Sequence, residues 1–348
     1  MVGTEFLKGQ GLGNQLFCYV TARAIAEANG YEFGTAGQER LAVNIHSGKG
    51  MYFMDMDLGH EITDLEKKDF SVYEEAEVRL YMGNSKHDIE HGCYVAGADE
   101  EMCHVADNTL LYGNMQDESY FYHDRDKLKD WLKVKPEYES YEYSRENLCI
   151  INMRGGEYAD SPELCLRKKY WLDGIRRMKE IWPDMEFMIV TDDVAEAQKT
   201  LPGIPAYHFS IDKDYVTLKN AYYLLLSNSS FAFFPAYTSE TVKFVIAPKY
   251  WARHNVSDGY WASGQNIYER FHYMDRKGRL FTAEECRREL EHYKAVSRRY
   301  KRAGQKPQGI RLWVYTLHGR YIYGRFRLGR ICRGLKRRVK RLFGQRRK

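Results

Sequence analysis

LCIINMRGGEY (Leu148–Tyr158) begins with six residues of which five are apolar, then turns polar at an arginine followed by two glycines. A short apolar run stopped by glycine predicts a buried strand over Leu148–Met153, with Arg154 leaving its carboxyl end. The pattern repeats downstream. Lys168–Ile181 has the apolar spacing of an amphipathic helix stopped by Pro183, and EFMIVTDD (Glu186–Asp193) reads as a strand ending in two carboxylates. Val194–Thr200 reads as a short helix, Tyr215–Ser227 as another, and SSFAFF (Ser229–Phe234) as a third apolar strand. Thr238 or Ser239 is expected to cap a helix running through Val245, with Glu240 in its first turn. Strands alternating with helices imply α/β architecture with parallel sheets, where ligands sit at the carboxyl ends of strands. Every polar cluster just named falls at such an end.

The amino-terminal half starts in the same way. Val2–Leu7 leads into GQGLGNQLF (Gly9–Phe17), and Cys18–Asn29 is Ala-rich with helical apolar spacing, stopped by Gly30. That is strand, glycine loop, helix. Residues 31–111 mix short apolar runs with acidic stretches and support only alternating α/β. Tyr112–Lys135 reads as a loop followed by a helix from about Arg125, and the polar, Tyr/Glu-rich Pro136–Asn147 as a linker. The 348 residues are enough for two domains, read as 1–135 and 148–252, with a helical extension over 253–297 and a basic tail over 298–348.

Composition excludes several classes. With 44% hydrophobic and 29% charged residues the chain is neither a disordered polyelectrolyte nor a small stapled scaffold. The uncharged run Asn220–Ser239 could span a bilayer by length, but it carries Asn228, several serines and Pro235, so it reads as core plus polar loop. Seven cysteines without a CxxC pair, and no apolar amino-terminal signal segment, predict free thiols in a reducing, cytoplasmic compartment. Net charge is divided: residues 1–297 carry −14, whereas the last 51 carry +19, with no Asp or Glu after Glu291. The acidic body argues against nucleic-acid coating, and the tail against neutrality toward anions.

Four clusters can carry chemistry. Gly9, Gly11 and Gly13 let backbone amides approach an anion or a sugar closely, or form a tight turn with Asn14 and Gln15 capping the helix. Position 14 is Asn where a dinucleotide fingerprint needs its third glycine, which argues against a nicotinamide or flavin cofactor. Arg154, beside Gly155 and Gly156, suits a phosphate clamp or a structural ion pair with Glu157 or another acid. Thr191–Asp193 could accept from a base or ribose, cap the next helix, or bind a divalent metal. Asn228–Phe231 offers hydroxyls and amides for a pyrophosphate. HDIEH (His87–His91) has the spacing of a helical zinc pair but lacks a third ligand, so it reads as a solvated helix and no metal site is expected.

In order and spacing the set resembles the α-1,2-fucosyltransferases. That family's GGLGNQMFQYA-like segment is similar to GQGLGNQLFCYV here, its GYFQSEKYF-like stretch to YGNMQDESYF (Tyr112–Phe121), its HxRRGDY to NMRGGEY, its SDD to TDD, and its SNSSFSWWGAYL to SNSSFAFFPAYT. The likeness spans roughly residues 9–251. Asn152, Gly155 and Glu157 depart from the HxRRGDY pattern, and Phe233-Phe234 replaces a Trp pair. The resemblance implies a glycosyltransferase B-type fold of two Rossmann-like domains facing a cleft, inversion at the sugar carbon, a GDP-fucose donor, a glycan acceptor, and neither metal nor cofactor. It implies that Arg154 neutralises the leaving GDP, Ser229 and Ser230 hold its phosphates, and Asp192 or Asp193 reads the guanine or ribose. Asn14 would reach across the cleft to the reacting sugars as a catalytic residue, and Gly11, Gly13, Gln15, Gly156, Tyr158, Asn228 and Phe231 would bind the substrates. Glu157 is the candidate base, although Arg154 beside it would lower its pKa.

In the tail, Leu328, Ile331, Leu335, Val339 and Leu342 share one helical face amid Arg and Lys. Gly324, Gly329 and Gly334 each cost about 1 kcal/mol in a helix. The expectation is a helix formed at an anionic membrane surface, placing the enzyme on the inner face of a bacterial cell membrane where surface polysaccharides are built on lipids. The alternatives are another nucleotide sugar on the same fold, or a non-catalytic anionic-surface-binding protein.

Overall fold

The computed structural model describes residues 1–41, 51–81, 90–95, 97–255, 264–298 and 300–345, the side chains of 93–95, 157, 333 and 336–345 excepted. Its framework is α/β with two sheets. The first uses β1 (Val2–Glu5), β2 (Phe33–Ala36), β3 (His60–Glu61), β4 (Ser71–Glu74) and β7 (Thr109–Tyr112), while β5 (Val78–Leu80) and β6 (Cys93–Val95) form a separate antiparallel pair. The order is β3-β2-β1-β7-β4, all parallel. The second sheet holds β8 (Leu148–Met153), β9 (Glu186–Thr191), β10 (Ala206–Tyr207), β11 (Tyr223–Leu226), β12 (Phe244–Pro248), β13 (His272–Met274) and β14 (Leu280–Phe281), in the order β10-β9-β8-β11-β12-β13-β14. Only β14 runs antiparallel.

Both sheets reverse their order beside a central strand, at β1 between β2 and β7, and at β8 between β9 and β11. Chain leaving the carboxyl ends there diverges to opposite sides and opens a crevice. The glycine loop follows β1 and Arg154 follows β8, so the strand order itself places these segments. All six residues of β8 are buried, and they alternate between two cores. Leu148 and Ile150 join the core shared with the amino-terminal half, whereas Cys149, Ile151 and Met153 pack with Tyr170, Trp171 and Met178 of the helix Lys168–Ile181.

The helices are α1 (Leu12–Asn29), α2 (Lys168–Ile181), α3 (Val194–Thr200), α4 (Ile211–Lys219), α5 (Phe233–Tyr237), α6 (Ala283–Val296) and α7 (Gly309–Gln345), besides single turns such as Leu128–Trp131. α1 is buried almost all round and ends at Gly30 in the left-handed region, φ 70°. Its Phe17 lies 4.7 Å from Phe233 and 4.7 Å from Phe234, with Phe121 and Tyr268 at 6.3 Å, so an aromatic cluster fastens α1 to the second sheet's elements. Pro136–Asn147 crosses between the sheets, held by Glu139 to Lys219 at 2.8 Å.

Four expectations need correction. Tyr215–Ser227 is not one helix: α4 stops at Lys219, and Tyr223–Leu226 is a buried strand between β8 and β12. Ser229–Phe234 is not a strand but a 3-10 turn leading into α5, because Phe233 and Phe234 both face Phe17, and Pro235 suits a first helical turn. No helix follows Ser239: its Oγ accepts from Thr241 and Val242 in a turn, and Phe244–Pro248 becomes β12. The segment 253–297 is not simply helical either. A hairpin at Asp275–Gly278 adds β13 and β14 to the second sheet before α6, Gly278 taking φ 80°.

Candidate functional site

Where β8 ends, the backbone N–H of Gly155 donates to Asp192 Oδ1 at 2.7 Å, and Arg154 Nη1 meets Asp192 Oδ2 at 2.9 Å. One carboxylate from the end of β9 thus orients both the turn and the guanidinium, which also lies 5.3 Å from the Tyr158 ring. The glycines are steric necessities. A Cβ on Gly155 would lie 2.6 Å from Asp193 Cβ, and one on Gly156, where φ is +29°, 2.8 Å from Asp192 Oδ2. A side chain at 155 would force the Asp193 side chain to shift.

Opposite stands the start of α1. Gly11 is its N-cap without a side-chain cap, and no acidic residue occupies the first turn, so unsatisfied backbone N–H groups and the positive end of the helix dipole face the crevice. Gly13 packs against the Ser230–Phe231 backbone so closely that a Cβ would lie 2.3 Å from the Ser230 carbonyl carbon. Two motifs more than 200 residues apart therefore form one wall. Asn14 Oδ1 accepts from Gln116 Nε2 at 3.1 Å, and Gln116 Oε1 in turn accepts from Asn266 Nδ2 at 3.2 Å. This chain orients the Asn14 amide from behind.

These walls enclose a cavity of about 770 Å³. Of the residues expected in a site, Gly11, Gly13, Asn14, Arg154, Gly156, Tyr158, Asp192, Ser229, Ser230 and Phe231 line it, together with Gly9, Asn152 and Thr191. Three others lie outside the lining. Gln15 is buried and bonds the Arg40 carbonyl at 3.3 Å, Asp193 caps α3 through the Glu196 N–H at 2.9 Å, and Asn228 is buried behind the serines. Neither Asn14 nor Gln15 caps α1. Glu157 lies on the turn Gly156–Asp160, and its side chain is outside the described residues, as are His87 and most of the HDIEH stretch. Among the described residues no group of three His, Cys, Asp or Glu is placed to hold a metal ion.

The remaining wall carries no motif and was not foreseen: Tyr52, His208, Phe209, Ser210, Ile211 and Asp214. Tyr52 donates to Asp212, joining the amino-terminal half to the first turn of α4. Asp214 accepts from the Phe209 N–H at 3.2 Å and lies 3.7 Å from His208 Nδ1. Burial pushes its carboxyl up to about 7, reinforced by the nearby Asp212 and Asp192. The available sequence signal was two acids in the first turn of a helix after a strand, but that pattern reads equally as a dipole-complementing first turn. A second hollow, about 560 Å³, lies between Glu118, Arg125, Glu240 and Arg270 and shares no residue with the first cavity.

An arginine fork, a helix amino terminus and two serines around one cavity can hold a diphosphate, and the buried carboxyl of Asp214 can accept from a base or sugar beside it. No family model matches the chain. It is 22% identical over 268 residues to an α-1,2-colitosyltransferase of Escherichia coli, an alignment covering 69% of this chain and 89% of the relative. Among solved structures it is similar to the α-1,6-fucosyltransferase NodZ co-crystallised with GDP, with TM-score 0.41 and 14% identity over 71% of this chain and 94% of that one. The form soaked with GDP-fucose gives 0.40 and 13% over the same shares, and NodZ from Bradyrhizobium gives 0.40 and 14% over 70% and 94%. At such scores the architecture rests on the chain's own sheets. The sequence likeness supports an enzyme, a glycosyltransferase.

Proposed function

We propose that the chain is an inverting glycosyltransferase of two-domain B type that moves fucose from GDP-fucose to a hydroxyl of a glycan acceptor. The observation that carries this reading is Arg154, aimed by Asp192 at 2.9 Å into a cavity whose opposite wall is the amino terminus of α1 and the Ser229–Ser230 turn. As the bond from fucose C1 to the diphosphate oxygen breaks, negative charge grows on GDP. The guanidinium and backbone N–H groups stabilise that charge without rearranging, while the acceptor hydroxyl attacks C1 from the opposite face and gives its proton to a carboxylate base, the role assigned to Glu157 on the turn after Arg154. With Asp192 engaged by Arg154 and Asp193 by α3, Asp214 becomes the carboxylate assigned to read the guanine or ribose. The reading places the enzyme in bacterial surface polysaccharide synthesis.

The likeness to the colitosyltransferase favours a second donor, the same nucleotide carrying colitose, which is fucose without its 3-hydroxyl. Calorimetric titration of GDP, UDP, dTDP and CDP into the full chain tests the class. GDP is expected to bind alone, and Arg154→Ala to weaken it about 10- to 150-fold, the worth of a hydrogen bond to a charged group. Preference for another nucleotide, or an unchanged GDP affinity in the variant, overturns the reading. Turnover of GDP-fucose against GDP-colitose then separates the two donors.

A further inference from the structure

The helix α7 has two unlike sides. Toward the body, Arg330 donates to the Ala159 carbonyl and pairs with Asp160 on the turn that follows Arg154, and Ile322 and Tyr323 are half-buried. Toward solvent, Ile310, Trp313, Leu317, Leu328, Ile331 and Leu335 are all exposed, from 44% at Leu317 to 83% at Ile310. At 3.6 residues per turn these six fall within roughly 100° of arc, a single stripe about 38 Å long. Val339 and Leu342, expected on the same face, lie outside the described side chains. An apolar stripe of this length, thinned only at Gly324, on a soluble surface calls for an occupant.

Charge decides which. Arg320 and Arg327 border the stripe on one side and Arg311 and Arg325 on the other, and no acidic residue follows Glu291. An apolar face edged with arginine on both sides complements acyl chains below a negative headgroup layer. Among the described residues no helix is long and apolar enough to cross a membrane. We propose that α7 lies flat on an anionic lipid bilayer, its apolar stripe immersed at the acyl boundary and its arginine borders among the headgroups. Because Arg330 ties α7 to the turn after Arg154, such docking holds the cavity wall near the membrane surface, within reach of an acceptor carried on a lipid.

Flotation of the full chain with vesicles of phosphatidylglycerol and phosphatidylcholine tests this, with phosphatidylcholine-only vesicles and a single-stranded oligonucleotide in parallel. Co-flotation with the anionic vesicles is expected. Leu317→Glu/Leu328→Glu/Ile331→Glu, at positions that touch solvent, should weaken it by at least about tenfold, the worth of withholding one leucine from apolar burial. Arg320→Gln/Arg325→Gln/Arg327→Gln should weaken it by about 150-fold, from roughly 1 kcal/mol for each of the three basic residues. Both variants keep the wild-type melting temperature and GDP affinity, so failure here is distinct from failure of the donor assignment. Equal binding by the glutamate variant, equal flotation with neutral vesicles, oligonucleotide binding in place of vesicle binding, or a dimer in sedimentation that the glutamate variant abolishes would each overturn the proposal.

Discussion

Gly13 stands where the first turn of α1 meets the Ser230–Phe231 backbone, and replacing it with alanine tests the joint between the two halves. The added methyl would lie 2.3 Å from the Ser230 carbonyl carbon, 2.4 Å from the Phe231 nitrogen and 2.5 Å from the Ser230 oxygen. Unstrained carbon contacts need about 3.5–4.0 Å, so the two backbones must part by roughly 1 Å. Neither side yields freely: Phe17 holds α1 against Phe233 at 4.7 Å, and Ala232 N–H ties the turn to the Ser229 carbonyl at 3.2 Å. Overpacking of this kind costs about 1–3 kcal/mol, and at roughly 2.1 cal/mol/K per residue each kcal/mol lowers the Tm of a 348-residue chain by about 1.4 °C. Separating the helix amino terminus from the serines should also weaken GDP by about tenfold, one charge-assisted hydrogen bond. Scanning calorimetry and GDP titration would be run beside Gly324→Ala, where a methyl meets nothing within 4 Å and helix propensity favours alanine. A Gly13→Ala protein that melts within about 1 °C of wild type and binds GDP equally would refute the reasoning.

Other expectations follow from the same geometry. Asp214, pushed up to about 7 in the folded chain, ionises only at a cost there, so its contribution to stability is neutral in acid and falls as pH rises from about 4 toward 7. Asp214→Asn should remove that decline in denaturant melts taken across pH. If the Asp214 carboxylate accepts from GDP, wild-type affinity should increase from pH 6 to pH 8 through the same value of about 7, and the variant should lose the trend in calorimetry. Asp193→Ala should cost about 1 kcal/mol of stability, the worth of an N-cap, with GDP affinity unchanged; a large loss of affinity would place Asp193 in the donor site after all. With Asp192 paired to Arg154 and Asp193 capping α3, these two carboxylates are not free to share a divalent ion, and GDP affinity should be the same in EDTA as in magnesium.

Some of this molecule is written locally. The buried strand Leu148–Met153, the amphipathic helix Lys168–Ile181 and the strand, glycine loop, helix at residues 2–30 each follow from apolar period and a stop signal within a few residues. The polar ends of those strands were legible for the same reason, which is why ten of the expected site residues line one cavity. Short apolar runs misled where period is silent. YYLLL at 222–226 and FAFF at 231–234 are each too short to distinguish helix from strand, and their states were settled by neighbours: β8 and β12 in one case, Phe17 in the other.

The rest depends on residues far apart in the chain. Asp192 finds Arg154 because β9 lies beside β8, and Gly13 meets Ser230 because α1 packs into aromatics from the other half. Tyr52 and Asp214 belong to no motif, yet they close the cavity, and burial among these walls is what raises the Asp214 carboxyl. Propensity and patterning act over a turn or a strand, so they specify elements and their buried faces. Strand order and side-chain contact between elements arise only when the whole chain packs, and it is there that separate polar ends become one site.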